Sequence, residues 1–434
     1  MIVERVRSID PEGHESARDV RLGDGDERVD GRGLVALPGL VDLHAHLREP
    51  GFEESETVAT GARAALRGGF TAVCAMANTV PAIDAPGLVA ELVARGHAAR
   101  GARVLPVAAI TRGRKGKELA DLVELARAGA VAFSDDGDPV EDAHVFRMAL
   151  EYGRSAGRPI LEHPQDRSLS RRGVMHEGRV SADLGLAGIP AAAEEAAVAR
   201  DLAVARLAGA RLHLQHVSTA GALELVRAAK RDGLAVTCEV TPHHLSMTDA
   251  WVAGSRAFVW EDESSTGVPY DSTTKVNPPL RTEADVRALW SGLVDGTIDA
   301  IATDHAPHAS TRKEVEYAEA AFGISGLDTA LAVLLMAVQA GMGDIGSVVR
   351  ALASGPARVL GIAPYADDAV LVDPTAEWIV GADALASKGK NTPLLGRRLR
   401  GRVVAAVVGG EVRYRDDGAL KGRRRGHAEA IARG

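Results

Sequence analysis

The sequence predicts an α/β protein: a closed (β/α)8 TIM-like barrel with a small β-sandwich domain built from both chain termini. Three observations point there. Between Leu40 and Asp304, eight short apolar runs alternate with amphipathic stretches, the pattern of parallel strands and their crossover helices. No GxGxxG or GxxxxGK[ST] follows the first run, which disfavours the runner-up, an open doubly wound sheet. Residues 1–39 are punctuated by Gly and Asp without helical period, and residues 366–415 read as short strands. The expected domains are 1–39, the first part of the β-domain; 40–365, the barrel; and 366–434, the rest of the β-domain with a basic tail.

In chain order, the barrel strands are expected at LVDLHAHL (40–47), TAVCAM (71–76), RVLPVAAI (103–110) and AVAFSD (130–135). They continue at PILEH (159–163), RLHLQHV (211–217), AVTCEVT (235–241) and AIATD (300–304). Helical periods fall between them, as in KELADLVELARAG (117–129) and GALELVRAAKRDG (221–233), many closing on a Gly suited to a C-cap. Beyond the barrel, DAVLVDP, AEWIVG and RVVAAVVGGEVRYR read as strands, the last folded at its Gly-Gly turn. One stretch breaks the rhythm. AGSRAFVWEDESSTGVPYDSTTK (253–275) is polar, acidic and turn-rich, and is expected as a long loop after the seventh strand.

Bulk properties narrow the function classes. A 434-residue chain with 46% hydrophobic and 25% charged residues is long enough for a large domain and a smaller companion. A net charge of −8 argues against nucleic acid or an anionic membrane as partner. The basic cluster Lys421, Arg423, Arg424 and Arg425 reads as a solvated tail. Cys74 and Cys238 lie far apart in apolar runs, so they form no disulfide framework, and a reducing cytoplasm fits. No signal-peptide pattern and no long apolar span is present in the sequence.

The chemistry gathers at strand ends. Strand one ends in His44 and His46, strand four in Asp135 and Asp136, strand five in His163, and strand six in His216. His243 and His244 follow strand seven, and strand eight ends in Asp304. In a barrel all these positions converge on one mouth. His44 and His46, two apart, share a strand face and reach one metal together. A lone HxH is a weak signal, since a single histidine is more often a satisfied core residue. Joined by His163, His216 and Asp304 it suits a catalytic zinc or similar divalent ion with an open position. Asp304 would also fit a helix N-cap, but two histidines and a proline within DHAPH are a poor composition for simple capping. His213 is three residues from His216, hence on the opposite strand face, and reads as structural; His14, His97, His144 and His427 read as surface residues. The stretch VAFSDDG (131–137) leaves a question: what cancels two adjacent carboxylates at the end of a core strand?

These residues resemble the amidohydrolase superfamily and, within it, the type I dihydroorotase family. The resemblance covers most of the chain: GLVDLHAHLREPG (39–51), GGFTAVCAMANTVP (68–81), FSDDG (133–137), HVSTAGALELVRAAK (216–230) and EVTPHHL (239–245). It continues in KVNPPLR (275–281), TDHAPH (303–308), AFGISGLDTA (321–330) and SKGKNTPLLG (387–396). It implies a reversible cyclisation of N-carbamoyl-L-aspartate to L-dihydroorotate in pyrimidine synthesis, with a pair of zinc ions per chain. By the same resemblance His44, His46 and Asp304 hold one ion and His163 and His216 the other. Asp136 bridges them in place of the carboxylated lysine common in the superfamily, with Asp135 as the alternative. Two cations would neutralise the paired acids. Asp304 is implied as the acid–base group, Arg48 as the grip on the substrate carboxylate, and Asn78, Asn277 and His308, with His46, as further substrate contacts. Phe322 and Gly323 are implied to offer backbone groups. Set against these roles are purely structural ones, a salt bridge to Glu49 for Arg48 and turn chemistry beside Pro81 and Pro278 for the two asparagines. The family also implies a cytoplasmic homodimer, with aspartate carbamoyltransferase as a possible partner of some members. AMANT departs from the family's MPNT, and the acidic 253–275 stretch is longer than usual. Competing readings are a hydantoinase or allantoinase, or a metal-free structural subunit of the same fold.

Overall fold

The computed structural model describes residues 1–262 and 266–425. The chain opens with β1 (Ile2–Ile9), β2 (Glu15–Arg21), β3 (Arg28–Asp30) and β4 (Val35–Pro38). The barrel begins at once with β5 (Leu40–Ala45), β6 (Phe70–Ala75), β7 (Arg103–Ala108), β8 (Ala132–Phe133) and β9 (Ile160–Glu162). A two-stranded parallel pair outside it, β10 (Met175–His176) and β11 (Gly188–Ile189), precedes β12 (Leu212–Leu214), β13 (Val236–Val240) and β14 (Ala300–Ile301). All eight predicted strands are therefore present, in the order β5-β6-β7-β8-β9-β12-β13-β14 and parallel throughout. The ring closes through an Ala45–His305 bridge, where His46 N–H donates to His305 C=O at 2.8 Å.

Local chemistry starts and stops the helices. Helix Val58–Arg67 carries a capping box in which Thr57 and Thr60 each accept the other's backbone N–H, and it buries Val58, Ala62, Ala65 and Leu66. The helix expected over 117–129 is shorter, Leu122–Arg127, because the Asp121 side chain accepts the Glu124 N–H and caps it there. Upstream, Leu119 bridges to Thr111 instead. The core is aliphatic with a few large rings: Phe70, Phe133 and Phe146 are fully buried, each contributing about 1.5–3 kcal/mol. Cys74 and Cys238 are buried free thiols, as expected.

The chain ends in β15 (Ala369–Ile379), β16 (Arg398–Val408), β17 (Glu411–Arg415) and β18 (Arg424–Arg425). They join β1–β4 in one mixed sheet, β17-β16-β15-β4-β1-β3-β18, with β2 on β1. DAVLVDP and AEWIVG form one strand, not two, broken in register between Asp373 and Glu377, where Pro374 cannot donate to the ladder. The Gly409-Gly410 turn has φ of +60° and +79°, the left-handed pair a tight hairpin demands. The basic cluster is not simply a solvated tail. Arg424 and Arg425 pair antiparallel with Val29 and Arg28, satisfying the open edge of β3, and Arg423 donates to Arg32 C=O at 2.8 Å. His14, His97 and His144 are exposed, and His427 lies outside the described residues. The described residues of the 253–275 stretch, 253–262 and 266–275, come after β13 and hold no α-helix or strand, only a 3-10 turn at Ser272–Thr274, and Tyr270 Oη donates to Leu184 C=O at 3.0 Å.

Candidate metal centre and substrate mouth

Six predicted side chains meet where the strands give way to loops. His44 lies in β5 and His46 just beyond it, while Asp136, His163, His216 and Asp304 follow β8, β9, β12 and β14. None is more than 5% exposed. His216 and Asp304 hold φ of +33° and +44°, and Arg48 at the rim holds +63°. Such a backbone costs a non-glycine residue about 1–3 kcal/mol and persists where the surroundings demand one side-chain direction.

Asp136 stands at the centre. Its Oδ2 lies 3.4 Å from His44 Nε2 and 3.5 Å from His46 Nε2, while Oδ1 lies 3.3 Å from His163 Nδ1 and 3.4 Å from His216 Nε2. One carboxylate thus presents one oxygen to each histidine pair. Asp304 Oδ1 closes the first group, 3.1 Å from His46 Nε2 and 3.5 Å from His44 Nε2. His44, His46 and Asp304 bring ligand atoms within 4.8 Å of one another, as do His44, Asp136 and His216.

Asp135 turns away. It accepts the N–H groups of Ile110 (2.8 Å) and Thr111 (3.1 Å) and the Thr111 hydroxyl. The adjacent acids avoid each other by facing opposite environments. Burial pushes the Asp135 carboxyl up to about 6 against those hydrogen bonds. Burial would raise Asp136 too, but His44, His163 and His216 outweigh it and hold that carboxyl well below the usual range.

The donor set fits a divalent cation. His44 Nε2 and Asp136 Oδ1, both facing the centre, are buried without a hydrogen-bond partner among the described residues. Leaving a buried polar atom unpaired costs about 1–3 kcal/mol. Nitrogen and oxygen donors without sulfur suit zinc or a similar ion that keeps a position open.

A second ring of groups orients the first. His44 Nδ1–H donates to Glu239 Oε1 at 2.9 Å, and His213 Nε2–H donates to Glu239 Oε2 at 3.1 Å. Burial alone would raise Glu239, but the two imidazoles outweigh it and leave it at about 2, an acceptor only. His44 must therefore carry its proton on Nδ1 and present Nε2 to the centre. Asn78 does the same for His46, accepting from Nδ1–H at 2.8 Å. His163 Nε2–H donates to Gln165 Oε1 at 3.1 Å, and Gln165 is paired amide to amide with Asn277 (3.0 and 3.2 Å). Both asparagines expected as substrate contacts thus also touch, directly or through Gln165, an imidazole of the centre. Glu239→Gln leaves one acceptor where two imidazoles donate, and is expected to weaken metal affinity about 10–100-fold in chelator competition. An unchanged affinity would detach Glu239 from the centre.

At the rim, Arg48 Nε donates to Pro307 C=O at 3.1 Å, and its guanidinium lies 3.3 Å from His308 Nε2. Its neighbour Glu49 pairs with Arg95 instead, so the simple Arg48–Glu49 salt bridge is not formed. His308 Nε2–H donates to Phe322 C=O at 2.8 Å; burial and the Arg48 charge lower the imidazole to about 3, so it is neutral at working pH. Gly323 has φ +140°, and a Cβ there would meet Ala306 atoms at 2.7 Å. Its N–H donates to Lys275 C=O at 2.8 Å, and its C=O accepts from Lys313 Nζ and Asn391 Nδ2. Of the Phe322 and Gly323 backbone groups expected to be offered to substrate, Gly323 N–H, Gly323 C=O and Phe322 C=O each make a hydrogen bond within the protein. His244 is structural, its Nε2–H donating to Pro278 C=O at 3.0 Å.

Sequence reasoning missed Glu239, Gln165 and Asn391, and gave His213 no place beside the centre. A signal existed for Glu239, an acid in the middle of the apolar run AVTCEVT.

Comparisons with known proteins bear on the family and the fold. A family model described as "Dihydro-orotase-like" matches residues 33–222. A protein of Anaeromyxobacter dehalogenans named "Dihydroorotase" is 48% identical, over 96% of this chain and 99% of its own. Proteins of the same name from Pelotomaculum thermopropionicum (49%, covering 90% of each chain) and Citrifermentans bemidjiense (42%, covering 95% and 99%) are also similar. Among solved structures, an L-hydantoinase (dihydropyrimidinase) from Arthrobacter aurescens superposes with a TM-score of 0.80 at 23% identity, covering 95% of each chain. At that identity the likeness shows the fold alone.

Proposed function

The chain belongs to the dihydroorotase family, and from that premise we propose that it interconverts N-carbamoyl-L-aspartate and L-dihydroorotate as a metal-dependent cyclic amidohydrolase of pyrimidine synthesis. The observation that carries the reading is one carboxylate, Asp136, facing four imidazoles beneath a cationic rim residue, Arg48. His44, His46 and Asp304 would hold one zinc ion, His163 and His216 a second, with Asp136 shared. Bound there, the ions would lower the pKa of water to near neutrality and polarise the scissile carbonyl.

The chain's own residues do the rest. In the hydrolytic direction Asp304 accepts the proton of the attacking water. As the bond between the ring carbonyl carbon and nitrogen breaks, Asp304 returns that proton to the departing nitrogen. Cyclisation reverses both transfers. Arg48 binds the substrate carboxylate through its planar fork, and neutral His308 stands beside it as a hydrogen-bonding group. Asn78 and Asn277 hold His46 and His163 in orientation while each amide lies within reach of the mouth. A homodimer, an association with aspartate carbamoyltransferase and a cytoplasmic location complete the reading, supported by the family resemblance. No helix among the described residues is long and apolar enough to cross a membrane.

The deciding experiment is turnover of dihydroorotate, hydantoin and allantoin by the zinc-loaded protein, with metal counted per chain. Preference for either of the last two would overturn the assignment, and less than about one zinc per chain with no gain on reconstitution would favour a structural subunit. Arg48→Lys keeps the charge and loses the fork. It is expected to raise KM for dihydroorotate about tenfold or more with kcat little changed, and an unaltered KM would remove Arg48 from the substrate site.

A further inference from the structure

The motif SKGKNTPLLG lies outside the barrel, in the connection 380–397 between β15 and β16. Those strands pair antiparallel up to Ile379 and Arg398, and such neighbours need a turn of about 2–5 residues. The chain instead makes a long excursion to the barrel mouth. Ser387 Oγ donates to the buried carboxylate of Glu56, beyond β5, and Lys388 N–H donates to the same group at 3.1 Å. Gly389 packs so closely on Pro307 and His308 that a Cβ would lie 2.6 Å from Pro307 Cβ and 2.8 Å from His308 N. Asn391, 5% exposed, then joins two substrate loops. Its Oδ1 accepts the His308 N–H at 2.8 Å, and its Nδ2 donates to Ala306 C=O and Gly323 C=O, both at 3.0 Å. Its backbone C=O accepts from Ser325 N–H at 2.9 Å.

We propose that Asn391 is a positioning residue for substrate binding: a clamp, delivered by the terminal sheet, that sets His308 beside Arg48 and holds the 322–325 segment against it. The inference rests on the dihydroorotase reading but concerns a residue in contact with neither metal ligand nor substrate. Its three side-chain bonds specify an amide. Two carbonyls require a donor and one N–H requires an acceptor, so neither an acid nor a hydrocarbon serves. The consequence falls on substrate affinity, because the loops it joins carry the rim and not the metal centre.

Asn391→Asp is the sharp test. It keeps the shape and the acceptor for His308 but sets a carboxylate oxygen against two carbonyl oxygens. The expected result is a KM for dihydroorotate raised about tenfold or more, kcat within about threefold, zinc content unchanged, and faster amide hydrogen exchange confined to residues 305–309 and 323–326. Gly389→Ala pushes the same loop from the other side and is expected to give the same split, which decides the matter should the Asp variant fail to fold. A KM within twofold of wild type in a folded variant would overturn the proposal, as would zinc loss with kcat and KM failing together. An unmodified protein that does not turn over dihydroorotate would instead sink the functional reading, a distinct outcome.

Discussion

Asp304→Asn is expected to fold, to keep most of its zinc, and to turn over dihydroorotate at least about 10³-fold more slowly than the parent chain. General acid–base transfer contributes about 10²–10⁴-fold, and the variant loses all of it, because an amide cannot take the proton that the carboxylate accepts. The fold should survive. Asn tolerates the left-handed backbone seen at φ +44° better than most residues other than glycine, and it matches Asp in volume. One amide oxygen still faces His46, so metal binding weakens without disappearing. The measurements are kcat on dihydroorotate, zinc per chain and the thermal midpoint. A kcat within tenfold of the parent would give the proton to another group, and zinc lost in step with activity would reduce Asp304 to a ligand.

The fold was legible because its signals are short-range. Each apolar run and each capped helix could be read alone, and parallel order follows from their alternation. The convergence of these histidines and aspartates was legible for the same reason: strand ends in a barrel meet wherever the loops then go. His213 shows where this reasoning stops. Its parity relative to His216 set it on the opposite face, but β12 ends at Leu214 and His216 lies beyond, with φ +33°. A period of two does not extend past the strand, and His213 in fact turns inward to Glu239. Asn391 was illegible for a second reason. Its partners Ala306, His308 and Gly323 lie 68–85 residues away, and no local pattern announces which loops a long connection will cross. Phe322 and Gly323 were expected to offer backbone groups to substrate, and only the folded chain shows Lys275, Lys313 and Asn391 on those of Gly323 and His308 on the Phe322 carbonyl.

The paired acids give the second large effect, and a contrast that sequence could not resolve. Asp136→Ala removes the carboxylate that faces both histidine pairs, leaving His163 and His216 without it and Asp304 as the remaining acid beside His44 and His46. Zinc content is expected to fall to about one per chain or below, and kcat/KM by about 10³-fold or more, since the two ions would lose their shared ligand and the water its fixed position. Asp135→Asn should behave oppositely. Its carboxylate oxygens accept, among the described residues, from the Ile110 and Thr111 amides and the Thr111 hydroxyl, so an amide keeps one good acceptor and turns its NH2 toward groups that can only donate or must rotate. The expected cost is about 1–3 kcal/mol of stability, with zinc content held and activity within about tenfold. Zinc analysis and thermal melts of the two variants read out the difference directly. Were Asp135→Asn to lose metal while Asp136→Ala kept it, the ligand would be the other carboxylate, and the centre would have to be rebuilt around a side chain that the structure turns away from it.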